Sequence, residues 1–258
     1  MPYLHRAGAQ VWFDVVGAGP PLLVLPGLGD AAASAWRITP RLAERHTTIL
    51  VDHRGAGRSD VPALPLTLRT LADDAAAVLD AVEAGPAHVV GFSMGGLVAQ
   101  ELALTHAAAA RSLVLGCTSP GGRDAVPGTF AWRDPSRWYA DTTAPAAIAA
   151  DLHARGRHPA TRRGVAAQLA AVAGYRGAGA RLHRWHGPTL IAHGTTDRIV
   201  PVENARRLAR RIPHAELCLL AGAGHVITTD ATDRLVAAIL AFTARVDAPA
   251  ACTAEGCR

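Results

Sequence analysis

The run AHVVGFSMGGLVAQELAL, residues 87–104, sets one serine, Ser93, between a short β-branched stretch and an amphipathic helix, with Gly91, Gly95 and Gly96 around it. Val89 and Val90 read as a buried strand, and Leu97, Val98, Leu102 and Ala103 recur at helical spacing. A serine hydroxyl is a poor nucleophile at neutral pH. It becomes a good one at the tip of a sharp strand-to-helix turn, within reach of a base and of free backbone N–H groups. Glycines two residues to either side suit such a turn, because side chains there would collide with the neighbouring strand and helix. Ser93 itself is expected in a strained conformation. A glycine-rich turn with an incidental serine would account for the glycines and leave the rest of the chain unexplained.

A serine of this kind needs an acid after a later strand and a histidine after a still later one. PTLIAHGTTDRIVP, residues 188–201, reads as a buried strand over 189–192 that breaks at Gly194 into a loop carrying Asp197. The next strand, 215–220, opens into AGAGHVITTD, where Gly222 and Gly224 lead to His225. The chain has twelve histidines, and His53, His88, His106, His186 and His193 compete for the role of base. His225 is preferred because it follows a strand and a Gly-x-Gly turn after the Asp197 loop. Asp230 is the rival acid, but it reads better as the start of the last helix. Two backbone N–H groups are needed to hold a developing oxyanion. Met94, at a helix N-terminus, would supply one, and Leu28 the other, in the loop after the strand of PLLVLPGLGD, residues 21–30.

LPGLGD, DHRGAGRSD, GFSMGG, HGTTDRIVP and GAGH occur in an order and at intervals that resemble the α/β-hydrolase superfamily over nearly the whole chain. Within it the chain is most similar to small bacterial carboxylesterases and 3-oxoadipate enol-lactonase-like hydrolases. The resemblance implies a mostly parallel eight-stranded sheet with helices on both faces and a helical cap insertion. It departs from the pattern at Pro26, where many members carry a histidine, and in the cap, which carries no assignable motif.

Composition narrows the chemistry. All 26 basic residues are arginine, so lysine Schiff bases and Walker-type phosphate loops are excluded. GLGD and GAGR lack dinucleotide-fingerprint spacing. The net charge of +5 comes without a basic helix or an aromatic-interleaved patch, so no nucleic-acid partner is expected. No apolar stretch is long enough to span a bilayer and the N-terminus lacks a hydrophobic signal region, so a cytoplasmic protein without a membrane partner is expected. Cys117 and Cys218 lie in strand-like runs and read as buried thiols, whereas Cys252 and Cys257 sit in a polar tail; no spacing suggests a metal.

Along the chain, residues 10–16 and 21–25 read as an antiparallel hairpin, 35–45 and 68–84 as helices, and TTILVD and ARSLVLGC as further strands. Asp52, Arg54 and Asp60 read as loop-holding residues. Core segments 1–118 and 188–246 flank an expected helical cap at 119–187, and 247–258 reads as a disordered tail. The cap carries Trp132, Trp138 and Tyr139 as candidate substrate contacts, and ten arginines against four aspartates. Most of those arginines are expected on a solvated surface, and one or two could hold a substrate carboxylate. The expected function is hydrolysis of a small ester or lactone by Ser93, His225 and Asp197, without a cofactor. Thioester or carbon–carbon bond hydrolysis, perhydrolysis, elimination or cyclisation in a natural-product pathway, and binding alone are the alternatives.

Overall fold

The computed structural model describes residues 3–61, 65–129 and 134–249. Strands β1 (Tyr3–Arg6), β2 (Ala9–Val16), β3 (Pro21–Leu25), β4 (Thr47–Val51), β5 (Ala87–Phe92), β6 (Ala110–Gly116), β7 (Thr189–Gly194) and β8 (Glu216–Leu220) form one sheet in the order β1-β2-β4-β3-β5-β6-β7-β8. From β4 to β8 every neighbouring pair is parallel, and only the β1–β2 and β2–β4 pairs are antiparallel. Parallel neighbours need crossovers. The helices are α1 (Thr39–Ala43), α2 (Leu68–Ala81), α3 (Met94–Thr105), α4 (Pro145–Arg155), α5 (Arg162–Ala173), α6 (Glu203–Arg211), α7 (Ile227–Asp230) and α8 (Thr232–Asp247).

The central strands read as unbroken apolar runs because both of their faces are covered. Leu23 and Leu25 of β3 join Val89, Leu113 and Ile191 under Leu71, Val98 and Leu208 from α2, α3 and α6. The alternate residues Leu22 and Val24 join Val90, Val114 and Leu190 under Leu42 of α1 and Leu235, Ile239 and Phe242 of α8. The last three stand at i, i+4 and i+7, one stripe of a helix.

The expected hairpin of residues 10–16 and 21–25 does not form: β4 lies between β2 and β3, and β2 pairs instead with β1, which the sequence reading missed. The connection crosses the end of β4 at close quarters. A Cβ on Gly17 (φ 82°) would stand 2.3 Å from the Ala43 carbonyl, and one on Gly19 (φ 124°) 2.4 Å from the Arg45 carbonyl. Glycines that read as a tight turn therefore serve to step over a strand. The 35–45 helix is likewise split into a 3₁₀ turn, Ala32–Ala35, and the short α1. Cys218 is half-buried because β8 is an edge strand, while Cys117 is fully buried. The α8 helix runs to Asp247, whose carboxylate meets His88 Nε2 at 3.1 Å and Arg111 at 2.7 Å, so order extends into the expected tail. Residues 250–258, with Cys252 and Cys257, lie outside the described residues.

Between β6 and β7 the chain inserts α4 and α5 with 3₁₀ turns at Gly122–Asp124, Pro135–Trp138 and Leu182–Arg184. Proline stands in the first turn of α4, and Thr161 caps α5 by accepting the Gly164 N–H at 3.0 Å. The insertion is pinned to the rest of the fold through Asp151. This carboxylate is buried and accepts hydrogen bonds from Trp36 (3.2 Å), Tyr139 (2.6 Å), Arg155 (2.7 Å) and Thr229 (3.0 Å). Burial alone would raise its pKa. The Arg155 charge and the donors hold it below the ordinary value.

Candidate active site

Strand β5 ends at Phe92 and α3 begins at Met94, so Ser93 alone reverses the chain, at φ 53° and ψ −117°. A non-glycine residue held there costs on the order of 1–3 kcal/mol and persists only where its surroundings fix it. Ser93 N–H donates to the Gly116 carbonyl at 2.9 Å, and its carbonyl accepts from Gly96 N–H at 3.0 Å and Thr118 Oγ1 at 2.7 Å. A Cβ on Gly91 would lie 2.3 Å from Gly95 O, and one on Gly95 would lie 2.1 Å from Leu25 O. Helix α3 thus approaches β5 and β3 backbone to backbone, which only glycine permits.

The structure brings Ser93, His225 and Asp197 together. His225 Nε2 is 3.1 Å from Ser93 Oγ, and its Nδ1 is 2.8 Å from Asp197 Oδ2. Asp197 Oδ1 accepts the N–H groups of Ile199 and Val200, each at 2.9 Å. Burial works to raise the Asp197 pKa. The His225 charge and hydrogen bonds from His193 and His225 outweigh it and hold the carboxyl well below the ordinary range. His193 is fully buried, with Nε2 2.8 Å from Val200 O and 3.3 Å from Asp197 Oδ2, so it braces the acid loop. The other competitors lie elsewhere: His53 and His88 are buried, His106 Nε2 meets Asp73 at 2.7 Å, and His186 is exposed.

The histidine loop is held from two sides. Thr195 and Thr196 N–H groups donate to Leu220 O (3.2 Å) and Ala223 O (2.9 Å), joining it to the acid loop. On the other side His225 and Val226 N–H groups both donate to the Trp138 carbonyl, at 2.8 and 3.0 Å. Asp230 accepts Gly224 N–H (2.7 Å), Ala140 N–H (2.8 Å) and the Thr143 hydroxyl (2.6 Å). The rival acid therefore ends the short α7 and ties the histidine loop to the insertion.

Ser93 and His225 open into a cavity of about 320 Å³, lined mainly by apolar groups such as Leu97, Leu169, Val172, Ile199 and Val226. Leu28 and Met94 also line it. Met94 is the first residue of α3, so its N–H has no partner within the helix. Gln168 of α5 braces the Leu28 loop, its Oε1 accepting Gly29 N–H at 2.7 Å while its Nε2 donates to Arg54 O at 2.9 Å. Sequence reasoning missed this residue, although a lone glutamine in the apolar run of α5 was a signal.

Of the aromatic candidates, Trp138 lines the cavity and Trp132 lies outside the described residues. Tyr139 is corrected: its ring is buried away from the cavity lining, because Asp151 takes its hydroxyl. Among the described arginines of the insertion, Arg155 lines the cavity, and it is already engaged. It donates to Asp30 Oδ1 as well as to Asp151, and these two carboxylates outweigh the effect of burial and raise its pKa. The loop-holding residues behave as expected: Asp52 accepts Ala32 N–H (2.6 Å) and Arg58 Nε (3.0 Å), Arg54 pairs with Asp74 at 2.6 and 2.7 Å, and Asp60 accepts Gln10 N–H (2.8 Å).

Two groups of described residues have the composition of metal ligands, His46/His88/Asp247 and Cys117/Asp197/His225. In the first, Thr243 and Pro20 already engage the nitrogens of His46, Ser112 and Asp247 those of His88, and Arg111 sits on Asp247. In the second, Asp197 and His225 already engage each other at 2.8 Å, and burial and the Asp197 charge push the Cys117 thiol pKa well up.

A family model described as alpha/beta hydrolase fold matches residues 20–172 and 155–231. The chain belongs to this family. Over 265 residues it is 33% identical to the 2-hydroxymuconate semialdehyde hydrolase of Pseudomonas sp. (strain CF600), covering 95% of this chain and 94% of the relative. It is 41% identical over 116 residues to RutD of Azorhizobium caulinodans, a match covering 45% of this chain and 43% of that protein. The chain spans less than half the length of two of the curated relatives it matches. A thermophilic esterase from Thermogutta terrifontis superposes at TM-score 0.85 with 24% identity, over 96% of this chain and 98% of the esterase, a likeness of fold. Among the described residues no helix is long and apolar enough to cross a membrane.

Proposed function

We propose that the protein is a serine hydrolase that cleaves a small carboxylic ester or lactone through an acyl-enzyme, with the insertion acting as a cap. The observation that carries this is the continuous relay from Ser93 Oγ through His225 to Asp197, at 3.1 and 2.8 Å, opening into an apolar cavity. His225 Nε2 takes the Ser93 proton as Oγ attacks the carbonyl carbon. Asp197, held ionised, orients the ring and stabilises the imidazolium. The N–H groups of Met94 and Leu28 receive the oxyanion, and the protonated His225 passes its proton to the leaving alcohol. Water then attacks the acyl-enzyme with His225 as base, returning the carboxylic acid and free Ser93. A lactone follows the same steps with its alcohol still attached.

A second reading, action on a compound of the 2-hydroxymuconate semialdehyde type, is supported by the Pseudomonas relative of that name, which aligns over nearly the full chain. The test is a panel of short-chain phenyl esters, small lactones and that semialdehyde, run alongside fluorophosphonate labelling. Turnover of esters or lactones with a single adduct on Ser93 is the expected result. An adduct on another serine, or turnover that persists in Ser93→Ala, would overturn the assignment.

A further inference from the structure

The cavity wall is apolar apart from a few groups, and two of them form an ion pair. Arg155 of α4 donates through Nη1 to Asp30 Oδ1 and through Nε to Asp151 Oδ2. Two carboxylates thus share one guanidinium, and of the two only Asp30 lines the cavity. Asp151 has used both oxygens on Trp36, Tyr139, Arg155 and Thr229. Asp30 has not: among the described residues its Oδ2 receives no hydrogen bond. That oxygen and the Ser93 side chain both come close to Gly27. The point where a Cβ would stand on Gly27 lies 3.2 Å from Asp30 Oδ2 and 3.5 Å from Ser93 Cβ.

A carboxylate oxygen on a cavity wall is satisfied by water while the cavity is open. A substrate that fills the space displaces that water and must return a donor, or the oxygen is left desolvated at a cost. Sites built around an acceptor reject analogues lacking the donor more strongly than apolar pockets reject a missing methylene. A second carboxylate, brought by the substrate, would meet like charge with the one nearby guanidinium already occupied.

We propose that Asp30 is a specificity-determining residue: through Oδ2 it accepts a hydrogen bond from a hydroxyl or amine on the acyl part of the substrate, near the scissile carbonyl, and it disfavours acyl groups bearing a carboxylate there. The inference rests on the serine-hydrolase reading and reverses the expectation that a cap arginine recruits a carboxylate. The assay compares phenyl butanoate, each enantiomer of phenyl 3-hydroxybutanoate and phenyl hydrogen succinate by kcat/KM, in the wild type, Asp30→Asn and Asp30→Leu. In the wild type one hydroxy enantiomer is expected to exceed butanoate by about tenfold or more, and succinate to fall below it by a similar factor. Asp30→Leu should abolish the hydroxyl preference, and Asp30→Asn should relieve the discrimination against succinate. Ser93-dependent turnover of the four esters at rates within about threefold of one another would overturn the inference and leave the hydrolase reading standing. So would preferences that survive in both variants. Should neither variant fold, the wild-type ranking still decides. Failure of all four esters to turn over would remove the hydrolase reading, and this assignment with it.

Discussion

Asp230 and Gly224 are joined by a 2.7 Å hydrogen bond from backbone to carboxylate, one residue before His225, and the same carboxylate oxygen also accepts the Ala140 N–H. An acid that competes in the sequence for the place beside the histidine instead sets the path of the loop that carries it. Asp230→Ala is expected to lower kcat by about 10–100-fold through a misplaced His225, with fluorophosphonate labelling of Ser93 slowed in proportion. Asp197→Asn, which removes the charge and can leave the wrong tautomer, should cost about 10⁴-fold in kcat. An Asp230 variant without activity, with Asp197→Asn near wild type, would reverse the two roles.

The strain at Ser93 separates stability from activity. Ser93→Gly relieves the positive φ and should stabilise the fold by up to about 1 kcal/mol, raising Tm by about 2–4 °C while removing all triad-dependent turnover. Calorimetry of this variant beside Ser93→Ala checks it. A drop in Tm for the glycine variant would mean that the turn is not strained.

Asp151 joins four donors on separate segments, so its loss leaves Arg155 with Asp30 alone and takes the acceptor from Trp36, Tyr139 and Thr229. Asp151→Ala is expected to destabilise by about 3–5 kcal/mol, read by urea unfolding. A change below about 1 kcal/mol would show that water replaces the carboxylate readily.

Acid should weaken the fold through a buried imidazole. His53 is buried, its Nε2 has no hydrogen-bond partner among the described residues, and burial draws its pKa down to about 4 against the raising effects of Asp74 and Asp52. In the unfolded chain the imidazole takes up its proton near pH 6.5. Its folded pKa is depressed, so stability held above that pH is lost as pH falls from 6.5 towards 4, by up to about 3 kcal/mol. His46 and His88 shift the same way. Unfolding free energies for wild type and His53→Gln at pH about 7.5 and about 4.5 test the sign: the variant should show the shallower decline.

The parts of the fold written in local pattern were legible in the sequence. Buried strands such as Leu22–Leu25 and Val89–Val90 announce themselves as apolar runs, and the glycines at 91 and 95 mark a close approach that the structure places against β3. Ser93, Asp197 and His225 could be located because each follows a strand end, and parallel strands bring those ends to one edge. Pairing was harder: β2 and β3 are adjacent in sequence, but the choice between a turn and a step across β4 depends on where another segment lies. Tyr139 was misjudged for the same reason. An aromatic ring reads as available to a ligand until the carboxylate that captures its hydroxyl, Asp151, is known to be near.

The Trp138 carbonyl, shared by the N–H groups of His225 and Val226, also limits how this chain can be recombined. An insertion exchanged wholesale with that of a relative would carry away the acceptor that seats the histidine, along with the Ala140 and Thr143 donors to Asp230. Chimeras that graft a new specificity onto this scaffold should therefore keep residues 138–143 with the histidine loop and place their splice points on the helical side of that segment.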